Sequence, residues 1–512
     1  MAKPALTTAE FLERSGADLI ITDLKKHFEE KGRPFKVSDV KDAQGNQYVD
    51  LVQEGGGVLG IALVGYTYVL EKMGIRFFSM AGTSAGSINA MLLACAGNKE
   101  DEKSSVITDH LVKLDMFSFV DGIPGNSVFT KFIKRIISGM LMGSNPIKRI
   151  FNLVKWVIIS LLVLTVTSFV INFFWPGISK WIGLAAGISL LIFIIIIVIS
   201  IKRFKLFAKN GYGLNKGAAF HDWIKKTISS FHMQGDLNQS TINNYADFAY
   251  HFMRLPPGLE VSTKDNRRPN NEAPLMPILT IITCDIISER KIEFTRMWDL
   301  YWSRAEDIHP GDFVRASMSI PVFFETYSLS GIRSKSSFDT WDKHLNWQNE
   351  KKRIPDTVQF IDGGVLSNFP INIFYNPGYP VPRMPTFGIR LQDGILDSAG
   401  RSNDSFSGYI LSLFSTIRFN YDRDFITKNR AYNLGVKSID VRDHNWLNFF
   451  MKEEEKIELF KKGAKAAADF LKTFDWEMYK TERLQNAEMQ KERFDNPNNM
   501  DIYPYSDLKV KQ

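Results

Sequence analysis

The sequence predicts an α/β fold, a sheet with helices packed against it, interrupted by a two-helix transmembrane hairpin and followed by a helical C-terminal region. Three observations predict it. Residues 54–94, EGGGVLGIALVGYTYVLEKMGIRFFSMAGTSAGSINAMLLA, read as strand, glycine loop, helix, strand, sharp turn and helix, the alternation of a parallel sheet. Two runs, 156–175 and 181–201, contain no charged residue, and each matches the ~20 apolar residues needed to cross a bilayer. From about Gln392 the pattern turns helical, with Ile457, Phe460, Ala464, Ala467, Leu471 and Phe474 on one stripe.

The 512 residues exceed one typical core and divide into five parts. These are an N-terminal helical segment (1–47), a first α/β part (48–147), the hairpin (148–205), a second α/β part (206–395) and a helical C-terminal region with a polar tail (396–512). The net charge of +7 is spread out with no long Lys/Arg block, which argues against a nucleic-acid partner. Cys95 and Cys284 are the only cysteines, too few for a disulfide framework or a thiolate metal site, and they fit a reducing compartment. The N-terminus lacks an apolar h-region, so no cleavable signal peptide is expected.

In chain order, Phe11, Leu19, Ile20, Leu24 and Phe28 recur at helical spacing and are expected to pack in the core. Gly55-Gly56-Gly57-Val58-Leu59-Gly60 follows the first strand. It fits G-x-G-x-x-G, but a dinucleotide site wants an acid ~20 positions further on, and the strand Ile75 to Met80 has none. The remaining uses are a tight turn, or backbone N–H groups exposed at a helix N-terminus to hold an oxyanion. Gly82-Thr83-Ser84-Ala85-Gly86 has the G-x-S-x-G spacing of a nucleophile elbow between a strand and the small, apolar helix Ser87 to Ala94. Ser84 is therefore the candidate nucleophile of an acyl-transfer site.

The segment Lys131 to Gly143 puts Phe132, Ile133, Ile136, Ile137, Met140 and Leu141 on one helical face and Lys131, Lys134 and Arg135 on the other. That suits a helix on an anionic membrane surface or an ordinary buried face. In the hairpin, Trp156, Trp175 and Trp181 sit at span ends, and only 176–180 separate the spans. Lys148, Arg149 and Lys155 precede it and Lys202, Arg203 and Lys205 follow it, so both flanks are expected on the cytoplasmic side, as in a bacterial inner membrane. An even number of spans keeps the two α/β parts in one compartment. Beyond it come a helix from Ala218 to Phe231, a polar loop from Leu255 to Pro277, the strand Ile278 to Cys284 with a hairpin in ISERKIEF, and Ala316-Ser317-Met318-Ser319-Ile320-Pro321. Strands Thr357 to Ile361 and Thr386 to Leu391 are expected to complete the sheet, and the tail from Arg483 is expected to be poorly ordered.

A serine needs a base. The Ser, Asp, His order of a histidine triad leaves only His444, which lies in a charged helical region. Asp362 ends an apolar strand, and Gly363 and Gly364 let the backbone turn sharply beside another loop, so it is the alternative base. The four elements GGGVLG (55–60), GTSAG (82–86), ASMSIP (316–321) and DGG (362–364), in this order, resemble the patatin-like phospholipase family over roughly residues 50–395 without the hairpin. The resemblance implies a three-layer fold with helices on both faces of the sheet, a dyad of Ser84 and Asp362, and an oxyanion hole from Gly55, Gly56 and Gly57, supported by Gly60, Gly82, Gly86, Gly363 and Gly364. It implies hydrolysis of membrane-lipid acyl esters, of phospholipase A or lysophospholipase type, with no metal and no cofactor. The position before Gly60, often Arg or Lys in that family, is Leu59 here; the departure spares the dyad and leaves open what holds an anionic headgroup. The competing readings are a non-enzymatic membrane scaffold of the same fold and an esterase with a Ser-Asp-His triad. Lipid class, acyl position and oligomeric state are not specified by the sequence.

Overall fold

The computed structural model describes residues 6–32, 35–122, 211–231, 241–262, 264–269, 273–350, 353–392 and 406–495, with scattered positions between 155 and 198. The expected amphipathic helix Lys131 to Gly143 lies outside them, as does the tail beyond 495.

The N-terminal segment is two helices, α1 (Thr8–Ser15) and α2 (Ala17–Glu30), separated by Gly16 in the left-handed region at φ 67°. The apolar stripe restarts at that break. Phe11, Ala17, Ile21 and Leu24 are buried as a result, whereas Leu19, expected in the core, is exposed. Strand β1 (Gln47–Gln53), α3 (Ile61–Lys72), β2 (Ile75–Thr83), α4 (Ala85–Cys95) and α5 (Ser104–Lys113) follow. All nine residues of β2 are buried, the mark of an inner strand of a covered parallel sheet. The second part contributes α6 (Ala218–Ser230), β3 (Leu279–Asp285), β4 (Arg290–Phe294), α7 (Pro310–Ser317), β5 (Tyr327–Ser330), β6 (Thr357–Asp362) and β7 (Thr386–Gln392). The C-terminal region contributes α8 (Phe406–Lys428), β8 (Val436–Asp440), α9 (Glu453–Thr473) and α10 (Trp476–Asp495).

These strands order as β8-β7-β1-β2-β3-β6-β5, with β4 also paired to β3 as the expected hairpin. Pairs from β8 to β3 are parallel, and β6 and β5 join antiparallel. The register positions the chemistry: Thr83 of β2 stands opposite Ile282 of β3, and Asp362 of β6 stands opposite Thr283. The residue after Thr83 and the last residue of β6 thus lie at the same level, with only β3 between their strands.

Two expectations for the C-terminal region need correction. It is not wholly helical, because β8 extends the sheet beyond β7. Only Ile439 of β8 is buried, so this edge strand carries little of the apolar signal that marks inner strands. Nor does order end at Arg483, which is buried in α10 with its guanidinium 4.3 Å from the Tyr432 ring centroid. The region is integral to the fold. Helix α9 crosses α3 so closely that a side chain at Gly463 would meet the Ala62 carbonyl oxygen at 1.9 Å. At the far end, buried Asp39 binds Trp476 Nε1 at 2.9 Å, Lys480 Nζ at 3.1 Å, Lys36 Nζ at 2.9 Å and the Arg268 guanidinium. Burial alone would raise this carboxyl; the four donors hold it below its ordinary value.

Most of the two apolar runs lies outside the described residues. The positions described there are helical and include exposed Trp156, Phe174, Trp181 and Leu191. Among the described residues no helix is long and apolar enough to cross a membrane, so the expected hairpin draws no support from them and stands on the sequence alone.

Candidate active site

Ser84 occupies the tight turn between β2 and α4 at φ 51° and ψ −120°, a conformation a side chain adopts only where the surroundings impose it. The imposition is visible. A Cβ at Gly82 would lie 2.4 Å from the Gly86 backbone, and one at Gly86 would lie 2.3 Å from the Gln53 carbonyl oxygen, so both flanking glycines are required by close approach. The Ser84 N–H donates to Ser317 Oγ at 2.9 Å, and the Ser317 hydroxyl donates to the Ile282 carbonyl at 2.6 Å. The Ser87 hydroxyl closes the turn on the Ser84 carbonyl at 2.6 Å.

The same ASMSIP segment also places the carboxylate. The Asp362 N–H donates to the Ser319 carbonyl at 2.8 Å, while Arg315 donates to Ser319 Oγ at 2.6 Å and to the carbonyls of Lys216 and Glu325. One short stretch therefore fixes both candidate residues, through Ser317 on one side and Ser319 on the other. Asp362 is 7 % exposed, and its Oδ1 accepts from the Gly364 N–H at 2.7 Å. Burial pushes its carboxyl up; the Ser84 hydroxyl, the Gly364 amide and the charge of Arg418 pull it part of the way back. The Ser84 Oγ rests 3.3 Å from Met318 Sδ, a weak acceptor from which it can turn to the carboxylate.

A cavity of about 340 Å³, its open mouth included, is lined by Gly56, Gly57, Ser84, Asp362, Arg418 and Trp446 among others. The glycine loop is only partly available as a donor set. Gly55, expected among the oxyanion donors, already gives its N–H to the Asn368 carbonyl at 3.0 Å, and Val58 gives its own to the Trp446 carbonyl at 3.0 Å. Gly56 and Gly57 are the loop residues that line the cavity with Ser84. Leu59 is fully buried.

His444 is held elsewhere. Its Nδ1 lies 2.9 Å from Asp443 and its Nε2 3.7 Å from Glu458, and it does not line the Ser84 cavity. Asp443, His444 and Glu458 are also the one described grouping with ligand atoms close enough for a metal, but Lys462 already binds Asp443 at 2.6 Å. Several site residues carry no signal in the sequence. Arg418, Asp422 and Trp446 come from the C-terminal region. Asp422 accepts from Ser367 Oγ at 2.7 Å and the Phe369 N–H at 2.8 Å, fixing the loop that follows Asp362, and burial pushes its carboxyl up to about 6.

The patatin-like phospholipase family model matches residues 51–175 and 202–375, more than half of the chain. The chain belongs to the patatin-like phospholipase family. The unmatched gap, 176–201, takes in the turn and second apolar run but not the first, so this member's expected insertion is only partly outside the family match. The member is 22% identical over 431 residues to the Bacillus subtilis (strain 168) protein YqhO, itself described as uncharacterized, across 84% of this chain and the whole of that one. Among solved structures it matches VipD from Legionella pneumophila at a TM-score of 0.36 and 14% identity, covering 86% of this chain and 71% of that one. Membership in this patatin-like family points to hydrolysis of lipid acyl esters.

Proposed function

We propose that this chain is a membrane-anchored serine lipid acyl hydrolase, of phospholipase A or lysophospholipase type, working through Ser84 and Asp362. The observation that carries the reading is one cavity lined by both the buried Asp362 carboxyl and a serine held on a strained elbow. Asp362 takes the Ser84 Oγ proton as the oxygen attacks the acyl carbonyl carbon, and the oxyanion forms toward the N–H groups of Gly56 and Gly57. Collapse breaks the ester bond, and the alcohol leaves with the proton from Asp362. Water, deprotonated by the same carboxylate, then attacks the acyl-serine, releasing the fatty acid and returning the proton to Ser84.

The neighbouring cavity suits an acyl chain. About 680 Å³ with its open mouth included, it is lined by Gly57, Ala85 and Met318 at the nucleophile's end and continues past Ile88, Leu92 and Phe119. Met116 and Phe119 on one side, and Phe220 and Trp223 on the other, line it where the chain runs into and returns from residues 123–210. A hairpin in that stretch, which stands on the sequence alone, would set the cavity against the bilayer. Alkaline washing of membranes tests the anchor: the intact chain stays in the pellet and a form with 156–201 replaced by a polar linker is released. Extraction of the intact chain by the wash would refute the hairpin.

A panel of phospholipids, lysophospholipids and neutral glycerides incubated with the protein, read by mass spectrometry for free fatty acid, tests the activity. Release that disappears in Ser84→Ala is expected; no release from any lipid would refute the reading. The base must be ionised to act, and burial raises Asp362 above the 3.8 of an ordinary aspartate. Measured kcat/KM is therefore expected to fall on acidification with a midpoint above that value. A profile flat down to pH ~4, where an unperturbed carboxylate still titrates, would contradict that assignment.

A further inference from the structure

Of the described residues that line the Ser84 cavity, Arg418 alone carries a positive charge. It comes from α8, outside the residues matched by the family model. Its Nη2 donates to Asn368 Oδ1 at 3.0 Å, and Asn368 Nδ2 donates in turn to the Gly55 carbonyl at 3.1 Å. Two hydrogen bonds thus tie the guanidinium to the loop that faces the nucleophile. Trp446, whose backbone carbonyl holds the Val58 N–H, places its ring centroid 6.0 Å from the guanidinium carbon. The cation is positioned by the site's own scaffold.

A carboxylate base creates a problem for an anionic substrate. Asp362 repels a phosphate brought close to it, and the repulsion is strong where water is excluded. A fixed guanidinium at the same cavity offsets it, and its planar fork matches the oxygens of a phosphate. We infer that Arg418 is a specificity residue that binds the phosphate of a glycerophospholipid beside the ester at Ser84. The inference rests on the acyl-hydrolase reading above and commits it to phosphate-bearing over neutral lipid.

The experiment measures binding with the nucleophile removed. Full-length Ser84→Ala protein is titrated calorimetrically with dihexanoylphosphatidylcholine, dihexanoylglycerol and inorganic phosphate, alone and with Arg418→Gln or Arg418→Lys added. The phospholipid is expected to bind about tenfold or more tightly than the glyceride, as one charge-assisted contact provides. Arg418→Gln abolishes that preference and Arg418→Lys, which keeps the charge but not the fork, restores part of it. In protein with Ser84 intact, Arg418→Gln lowers the ratio of kcat/KM on phospholipid to that on glyceride by a similar factor. A role limited to holding α8 in place would give no recovery in Arg418→Lys.

Equal affinity of the parent for the two lipids, or a preference that survives Arg418→Gln, would overturn the inference. Tight binding of inorganic phosphate without discrimination between the lipids would assign the site to a free phosphate instead and overturn it as well. The two failures are distinguishable: if the unmodified protein hydrolyses no lipid, the acyl-hydrolase reading falls, while the calorimetry still decides whether Arg418 selects a phosphate.

Discussion

Ser84→Ala and Asp362→Asn are each expected to lower kcat/KM on a short-chain ester by at least ~10⁴-fold, and the double variant to be no worse than either single one. The expectation follows from geometry: the elbow fixes Ser84, Ser319 and Gly364 fix Asp362, and among the described residues neither has a substitute in the cavity. Two groups that act on one proton fail as a unit. His444→Ala is expected to leave the rate within about twofold, the small effect usual for residues away from a site. Its ring is engaged by Asp443 and Glu458. Steady-state kinetics on p-nitrophenyl butyrate measure all four variants. Loss of activity in folded His444→Ala, with activity kept in Asp362→Asn, would replace the dyad by a histidine triad.

The second large effect is expected at Asp422. Its carboxylate receives Ser367 Oγ and the Phe369 N–H in a buried setting, so Asp422→Ala leaves both donors unsatisfied. Stranding them costs about 1–3 kcal/mol each. The segment they hold runs directly from Asp362 to Asn368, which braces Gly55. Thermal unfolding should show a clear drop in midpoint, and kcat should fall at temperatures where the variant is still folded. A variant with the parent's midpoint and kcat would show that the C-terminal region does not support the site.

These two effects also mark what could be read from the chain. The elbow and the Asp362 turn are compact in sequence: Gly82, Gly86 and Gly363 lie within two positions of Ser84 or Asp362, so a short pattern carries them, although the distant backbone of Gln53 and Ile282 is what excludes a side chain at the last two. Apolar runs announced β2 and β3 for a similar reason, because inner strands bury every residue. The C-terminal contribution is nonlocal. Arg418 meets Asn368, Trp446 meets the glycine loop, and Trp476 meets Asp39 across nearly the whole chain, so nothing in their own neighbourhoods announces a partner. Strand β8 hid because it is a short, polar edge with one buried residue. The Gly55 N–H is a different case. A run of three glycines does not reveal which N–H is already taken, and Asn368 takes the first.

The most direct measurement of the central claim is covalent labelling by a fluorophosphonate, followed by peptide mass spectrometry. Phosphonylation requires a serine oxygen activated by its base. The Ser84–Asp362 account predicts a single modified peptide with the label on Ser84, and labelling that falls to background in Asp362→Asn while persisting in His444→Ala. Label on a different residue, or undiminished labelling of Ser84 in Asp362→Asn, would contradict it.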